Sequence, residues 1–342
     1  MSTPAHTKQP TIVDIAVRLN ISISTVSRAL RDAPDVNPIT KQSVRDMAKK
    51  IGYEPNTVAA SLRRNKTNII GIIVPEFVHA YFPSVILGVQ DVVNSAGYKL
   101  MICQSNESFD LEENNLQAMI SSRVDGLIMA LSRETDHYEH IKKVQEKTPI
   151  VFFNRVTDEL TGSKVLVDDY GGAFEAVEHL IAIGCRRIAH LAGPENLTMS
   201  ENRLNGYLDA LKKHGIPINP RLIKHADFMD EKAWSCTQEL IDLPDRPDAI
   251  FAVNDPAAIQ ALICIKKNDL RIPQDMALVG FSNAPHSAFV DPPLTSVIQP
   301  TFAIGKTAAE LLLQHIESGE QYKPETRILK TSLQIRQSTQ IS

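Results

Sequence analysis

Residues Thr11 to Leu30, TIVDIAVRLNISISTVSRAL, restrict the chain more than any other stretch, because their spacing suits two short helices joined by a sharp turn. Thr11 followed by Asp14 is a capping box that starts the first helix, and Ile12, Ile15, Ala16 and Leu19 recur at helical spacing as a thin apolar stripe. Asn20 stands where the chain must reverse, and Asn is among the few residues that tolerate a left-handed backbone. Ser22 is the next N-cap, and Val26, Ala29 and Leu30 make the inward face of the second helix. Its outer face carries Ile23, Ser24, Thr25, Ser27 and Arg28. Short hydroxyls and one guanidinium suit phosphate oxygens and guanine edges, and no acidic side chain stands among them. The pattern is a helix-turn-helix whose second helix reads DNA. Paired short helices also occur in proteins that never touch nucleic acid, so the rest of the chain has to weigh in.

The charge distribution does so. The chain of 342 residues has a formal charge of −4, but through Asn65 ten Lys and Arg stand against five Asp and Glu. That is +5 for the head and therefore −9 for the remainder, a small basic end on a larger acidic body. The length calls for two or three domains. No apolar run reaches the roughly 18 residues that span a membrane, and MSTPAHTKQP lacks the basic start and apolar stretch of a secretory signal. Cys103, Cys185, Cys236 and Cys264 are scattered without paired spacing and read as reduced, mostly buried apolar residues. A cytoplasmic protein without membrane contact is expected.

A third helix is signalled by Asn37 as cap, Pro38 at the first position and Gly52 after Ile51, with Val44, Met47, Ala48 and Ile51 facing inward. Pro55 then forbids continuation, and Asn56 can cap a short helix whose Leu62 has no local core to enter. From Ile69 onward apolar runs alternate with amphipathic helices. The runs are IIGIIV (69–74), YKLMIC (98–103), DGLIMA (125–130), PIVFF (149–153), RRIAHLA (186–192), DAIFAV (248–253) and MALVGF (276–281). Helices are expected over Phe82–Ala96, Asp110–Ser122, Gly171–Ile183 and Arg203–His214. Such alternation argues for parallel α/β sheets in two lobes, with ligands beyond the C-terminal ends of the strands.

Catalytic motifs fail on inspection. Gly305-Lys306-Thr307 ends like a phosphate loop, but Pro300 stands where the leading Gly should be, so a helix start fits better. Gly280-Phe281-Ser282-Asn283-Ala284 follows a strand as a nucleophile elbow would, yet Ala284 replaces the second Gly. His137 and His140 lack a third ligand and read as a solvated helix face. Neither an enzyme nor a metal site is expected, and no cofactor is implied.

The blocks TIVDIAVRLNISISTVSRAL, VNPITKQSVRDMAKKIGYEPNTVAASLRR and NIIGIIVPEF resemble the lactose-repressor/galactose-repressor (LacI/GalR) family of bacterial regulators. The likeness continues through VDGLIMAL, VLVDDYGGAFEAVEHLIAIGCRRIAHLAG, ENRLNGYLDAL, IFAVNDPAAI, ALVGFSN and PPLTSVIQP, covering almost the whole chain. It implies an all-α helix-turn-helix domain over residues 1–55, a hinge helix and linker over 56–66, and a periplasmic-binding-protein-like body over 67–342. The body would divide into lobe 1, about 67–163 and 297–326, and lobe 2, about 164–296 and 327–342, crossed by three strands.

By position, the family implies base contacts from Ile23, Ser24 and Arg28, and phosphate contacts from Thr11, Ser22, Thr25, Ser27 and Asn37. A homodimer on double-stranded, pseudo-palindromic operator DNA would place one reader helix per half-site. Asn56, Ala59, Leu62 and Arg63 would serve the hinge, with Leu62 as a wedge in the minor groove. An effector, a sugar or sugar derivative, would meet Glu76, Phe82, Asn154, Arg203, Phe228, Asn254, Asp255 and Ser282. Arg203 would act as the clamp and Phe228 as the ring that stacks on the ligand. Two positions depart from the pattern: many relatives carry Asp where Ser282 stands, and Gly where Gln260 stands. The function so implied is a ligand-responsive repressor of carbohydrate-use genes. A catabolite-control regulator working with a phosphorylated carrier protein, or a purine-type corepressor-dependent repressor, are the alternatives. ILKTSLQIRQSTQIS has no leucine heptads, so no tetramerising coiled coil is expected.

Overall fold

The computed structural model describes residues 10–53 and 66–340, which fall into two compact units, one up to Thr67 and one from Asn68 onward. The expected hinge residues Asn56, Ala59, Leu62 and Arg63 lie outside the described residues.

In the first unit, α1 (Ile12–Leu19), α2 (Ile23–Leu30) and α3 (Pro38–Ile51) enclose a small core of Ile15, Val26, Ala29 and Val44. The caps are those the sequence signals. Asp14 accepts hydrogen bonds from the Thr11 backbone N–H at 2.7 Å and from its hydroxyl at 2.8 Å. Asn20 turns the chain at φ 51°, ψ 46°, and the Ser22 hydroxyl accepts from the Thr25 N–H at 3.1 Å. Asn37 caps α3 through the Ile39 N–H at 2.9 Å, with Pro38 at its first position and Gly52 left-handed at its end.

The second unit holds two six-stranded sheets. In chain order, β1 (Ile69–Val74), β2 (Lys99–Gln104), β3 (Gly126–Met129), β4 (Ile150–Phe153) and β5 (Ser163–Val167) join β11 (Thr326–Leu329) in the first. The order is β11-β5-β4-β3-β1-β2, parallel throughout. The second collects β6 (Ile188–Ala192), β7 (Ile223–His225), β8 (Ala249–Ala252), β9 (Ala277–Ser282), β10 (Thr295–Ile298) and β12 (Ser332–Gln334), ordered β12-β10-β9-β8-β6-β7. Only β12 runs antiparallel. Runs such as IIGIIV and AIFA are buried on both faces because helices cover both sides of each sheet. Those helices are α4 (Tyr81–Ser95), α5 (Phe109–Ser121), α6 (Glu139–Gln145), α7 (Asp169–Ala182), α8 (Thr198–Lys213), α9 (Asp230–Ile241), α10 (Asp255–Lys267) and α11 (Thr301–Ser318).

The chain crosses between lobes three times, a few residues from the expected points. Ser163–Val167 pairs wholly in the first sheet, so the first crossing follows Val167 rather than position 163. Thr295–Ile298 belongs to the second sheet and Thr326–Leu329 to the first, which moves the other crossings to about 299 and 330. Strand pairing, which the sequence pattern does not display, decides these boundaries.

Two local expectations are corrected. His140 does not share a solvated face with His137: it is buried, and its Nε2 lies 3.1 Å from the fully buried Glu112 carboxylate. Gly305 lies one turn inside α11 rather than at its start, where it lets the helix approach α4. A Cβ on Gly305 would stand 2.0 Å from the Val85 carbonyl oxygen, and one on Gly88 would stand 2.1 Å from that of Phe302. The two glycines face each other's helix backbone and set the spacing of the pair.

Two predictions follow from this packing. Gly88→Ala should force α4 and α11 apart and cost about 2 kcal/mol or more in urea unfolding; unchanged stability would mean the helices part freely. His190 stacks between Tyr207 and Phe251, and burial pushes its imidazole down to about 4, against a Phe251 carbonyl that accepts from Nδ1. The unfolded chain takes up that proton near the ordinary value of 6.5, so the contribution is full above pH 6.5 and is lost as pH falls toward 4. The whole effect is of the order of 3 kcal/mol. Unfolding of His190→Gln measured from pH 7 to pH 4 should show a shallower slope than the wild type.

Candidate functional site

A cleft of about 480 Å³ opens between the lobes of the second unit, at the C-terminal ends of its strands. Glu76 follows β1, Asn154 and Arg155 follow β4, Phe228 follows β7, Asn254 follows β8, Ser282 ends β9 and Gln299 follows β10. Tyr81 and Phe82 enter from the first turn of α4, and Arg203 from α8. Of the eight residues expected to meet an effector, Glu76, Phe82, Asn154, Arg203, Phe228, Asn254 and Ser282 line this cleft.

Arg203 is only 1% exposed. Its Nε donates to Asp169 Oδ1 at 2.8 Å, its Nη1 to the Val253 carbonyl at 2.6 Å, and its guanidinium carbon sits 3.7 Å from the centre of the Phe281 ring. Nη2 also lies 2.6 Å from Asp169 Oδ1, but at an angle that makes no hydrogen bond. The contact adds an ion pair to the hydrogen bond that Nε makes to the same oxygen. Burial pushes the Asp169 carboxyl up, and the adjacent guanidinium opposes the rise.

Asp255 is the eighth expected residue, and the structure removes it from the cleft. It is fully buried, and its Oδ2 accepts from the Ala284 N–H at 2.6 Å and the Ser287 hydroxyl at 2.5 Å, while Oδ1 accepts from the Ser296 hydroxyl at 2.5 Å. Those bonds hold a turn in which Ser282 and Asn283 both adopt positive φ, 122° and 50°. Asp255 therefore shapes the wall that carries Ser282 and does not face a ligand. Its neighbour Asn254 spends Oδ1 on capping α10, at 2.9 Å from the Ala257 N–H. Phe228 also sits at positive φ, 58°, a conformation that costs a bulky residue energy and turns its ring inward.

Arg155, Glu107, Arg133 and Gln299 are among the cleft residues that the sequence did not single out. Arg155, 6% exposed, grips Glu107 with both guanidinium arms, Nη2 at 2.8 Å from Oε1 and Nη1 at 2.5 Å from Oε2. It also lies 5.9 Å and 5.6 Å from the ring centres of Phe82 and Phe228. Burial works against the Glu107 charge, but the bonds from Arg155 and the Arg133 N–H outweigh it and hold the carboxyl below its usual value. Arg133 bridges the lobes: its carbonyl accepts from Asn196 Nδ2 at 2.8 Å, and its Nη1 donates to the Asp227 carbonyl at 3.4 Å. Gln299 donates to the Ser282 hydroxyl at 3.0 Å, leaving Oε1 buried without a partner. Only the position of Arg155 beside Asn154, at a strand end, could have flagged it.

In the first unit, the exposed side of α2 presents Ile23, Ser24 and Arg28. Ser22 links two hydroxyls, with Ser24 Oγ at 2.7 Å and Thr25 Oγ1 at 2.8 Å. No acid lies on the helix itself, but Asp35 from the following loop pairs with Arg28, each about half exposed. An exposed ion pair is worth about 1 kcal/mol at most, so Asp35 holds the Arg28 fork only weakly.

Comparison with known proteins bears on both units. Residues 11–56 match the family model described as Bacterial regulatory proteins, lacI family, and residues 177–339 that of the Periplasmic binding protein-like domain. The chain is 33% identical over 96% of both chains to the HTH-type transcriptional repressor CytR of Escherichia coli (strain K12). It is 30% identical to Catabolite control protein A of Priestia megaterium, over 96% of this chain and 99% of the other. A solved structure of the transcriptional regulator CelR–cellobiose complex is similar at a TM-score of 0.74 and 30% identity, covering 96% of this chain and 99% of that one. Among the described residues no helix is long and apolar enough to cross a membrane.

The hydrogen bonds around Asp255 yield a prediction. Asp255→Ala should lower stability by about 3 kcal/mol, because two hydroxyls and an N–H lose a charged acceptor. Ser282→Ala should cost about 1 kcal/mol, since its hydroxyl accepts one bond, from the uncharged Gln299 amide. Equal losses in urea unfolding would contradict the division between wall and cleft.

Proposed function

Because the chain belongs to the lacI family of bacterial regulatory proteins, we propose that it is an operator-binding repressor of carbohydrate-utilisation genes, released by a small sugar-like effector. The family is one of DNA-binding transcriptional regulators and not of enzymes. The observation that carries the effector reading is the interlobe cleft, with Arg203 buried at its floor and aromatic rings on both sides. Phe82 and Phe228 offer faces for the C–H surface of a sugar ring, while Arg203, Asn154, Asn254 and Ser282 offer donors and acceptors for hydroxyls. The kinship with a regulator solved in complex with cellobiose supports a carbohydrate.

In this reading a homodimer sets two reader helices on a pseudo-palindromic operator in the cytoplasm, with Ile23, Ser24 and Arg28 at base edges. Thr11, Ser22, Thr25, Ser27 and Asn37 hold phosphates. The effector binds the body in one lobe arrangement better than in the other and shifts the population accordingly. Operator affinity falls as a result.

The test is operator binding by gel shift, titrated with a panel of mono- and disaccharides. At least one sugar should weaken binding about tenfold or more, in the range of coupling energies usual for such switches. Arg203→Lys, which keeps a cation beside Asp169 but loses the planar fork, should bind operator normally and lose the response. A panel without effect would sink the effector reading, and a sugar that tightens binding would make the protein a corepressor-dependent repressor.

A further inference from the structure

Away from the three crossings, a loop of the first lobe reaches the second. It is residues 131–135, between β3 and α6. The Arg133 carbonyl accepts from Asn196 Nδ2 at 2.8 Å, and Arg133 Nη1 donates to the Asp227 carbonyl at 3.4 Å. Nearby, the Arg155 guanidinium carbon lies 5.6 Å from the centre of the Phe228 ring. Arg133 and Arg155 belong to the first lobe, and Asn196, Asp227 and Phe228 to the second.

The loop is fixed from within its own lobe. Glu112 is fully buried, and its carboxylate accepts from the Ser132 N–H at 2.7 Å and the Thr135 hydroxyl at 2.9 Å. The buried hydroxyls of Ser105 and Ser132 bond at 2.6 Å. Glu107 Oε2 takes the Arg133 N–H at 2.9 Å, and the Glu107 carbonyl takes the Glu134 N–H at 3.4 Å. The same Glu107 carboxylate grips both arms of the Arg155 guanidinium. One carboxylate therefore sets the two arginines that the first lobe extends to the second. A loop fixed in this way has little conformational freedom left to lose on contact, so a few bonds suffice.

The receiving side is shaped to match. Asp227 and Phe228 follow one another at positive φ, 52° and 58°, a conformation that costs side-chain-bearing residues energy and persists only where the surroundings impose it. The Asp227 carboxylate is bonded to Lys232 Nζ at 2.6 Å, while its carbonyl is turned to Arg133. Asn196 is exposed and Arg133 only part-buried, so their bonds leave the core of each lobe untouched. Such bonds govern how the lobes sit against each other.

We propose that residues 131–135 form a latch that holds the two lobes together, and that Glu107 is its positioning residue. The latch needs no occupant in the cleft, so it goes beyond the effector reading. It sets the balance between joined and parted lobes on which any ligand of the cleft has to act.

The experiment measures the distance between the lobes of the full chain by pulsed electron resonance, in buffer without sugar. Ketone-bearing residues at the exposed positions Gln117 on α5 and Ser235 on α9 carry the spin labels, which leaves the four cysteines in place. Labelled chain is diluted with unlabelled chain, so that only the distance within one protomer is read. The wild type should give one narrow distance. Arg133→Ala combined with Asn196→Ala removes both hydrogen bonds and should raise the population at longer distance about tenfold or more. Glu107→Gln should do the same, although the bonds of its carboxylate all lie within the first lobe.

A wild type spread over several distances would overturn the proposal. So would a double variant, or a Glu107→Gln protein, that keeps the wild-type distance. Urea unfolding accompanies each measurement, and a midpoint close to that of the wild type shows that the lobes part while each stays folded. Asn196→Ala alone changes an exposed side chain and carries the test if another variant loosens the fold. It should give an intermediate population, and an unchanged distance there overturns the latch. The result does not depend on which ligand the cleft takes, so its failure and that of the effector reading are distinct.

Discussion

A guanidinium that is 1% exposed has to be compensated where it stands, and the body is arranged around that need at Arg203. Desolvating a lone cation costs many kcal/mol, so Asp169, the Val253 carbonyl and the face of Phe281 must all be in register when the lobe folds. They come from the start of α7, the end of β8 and the end of β9, which fixes one wall of the cleft against another. A buried ion pair is a poor device for stability, because a well-packed apolar pair would serve as well. What it supplies instead is a rigid donor at the floor of a cleft otherwise walled by rings.

The same residues adjoin the crossings between the lobes. Asp168, next to Asp169, donates its N–H to the Leu329 carbonyl at 2.9 Å and accepts from Lys330 Nζ at 2.7 Å, while Thr331 Oγ1 reaches its carbonyl at 3.3 Å. Two of the three interlobe crossings are thus tied to each other, one residue from the partner of the clamp. Arg203 bonds to Asp169, the residue beside that junction. Across the cleft mouth, the bonds of Arg133 to Asn196 and Asp227 hold the lobes together, and any opening has to break them.

How much of this was legible follows from what each feature depends on. Caps and turns are local, so Thr11, Asn20, Ser22, Asn37 and Gly52 could be read one residue at a time. Strands buried on both faces are continuous apolar runs, and all seven named runs are strands. The strands that escaped, β5, β7, β10, β11 and β12, mix polar with apolar residues, SKVLV, IKH, TSVI, TRIL and SLQ, so none forms a continuous apolar run. Glu76, Asn154, Phe228, Asn254 and Ser282, cleft residues at strand ends, were legible through family resemblance. Glu107, Arg133 and Gln299 were not, because their roles come from partners distant in sequence. Asp255 shows the reverse error: a motif places it at a strand end, but only the fold reveals that three bonds turn it inward.

Ser282 carries the synthesis one step further. The resemblance leads one to expect a carboxylate there, able to accept from two ligand hydroxyls. A serine hydroxyl already accepting from Gln299 has less to offer, so that wall cannot read a hydroxyl pair as an Asp would. The cleft keeps its carboxylates elsewhere: Glu76 on the first lobe and Asp230 on the second lie on the walls, and Gln260 lines it as well. Those side-chain carboxylates of the cleft wall therefore stand toward the starts of α4 and α9 and not at the end of β9.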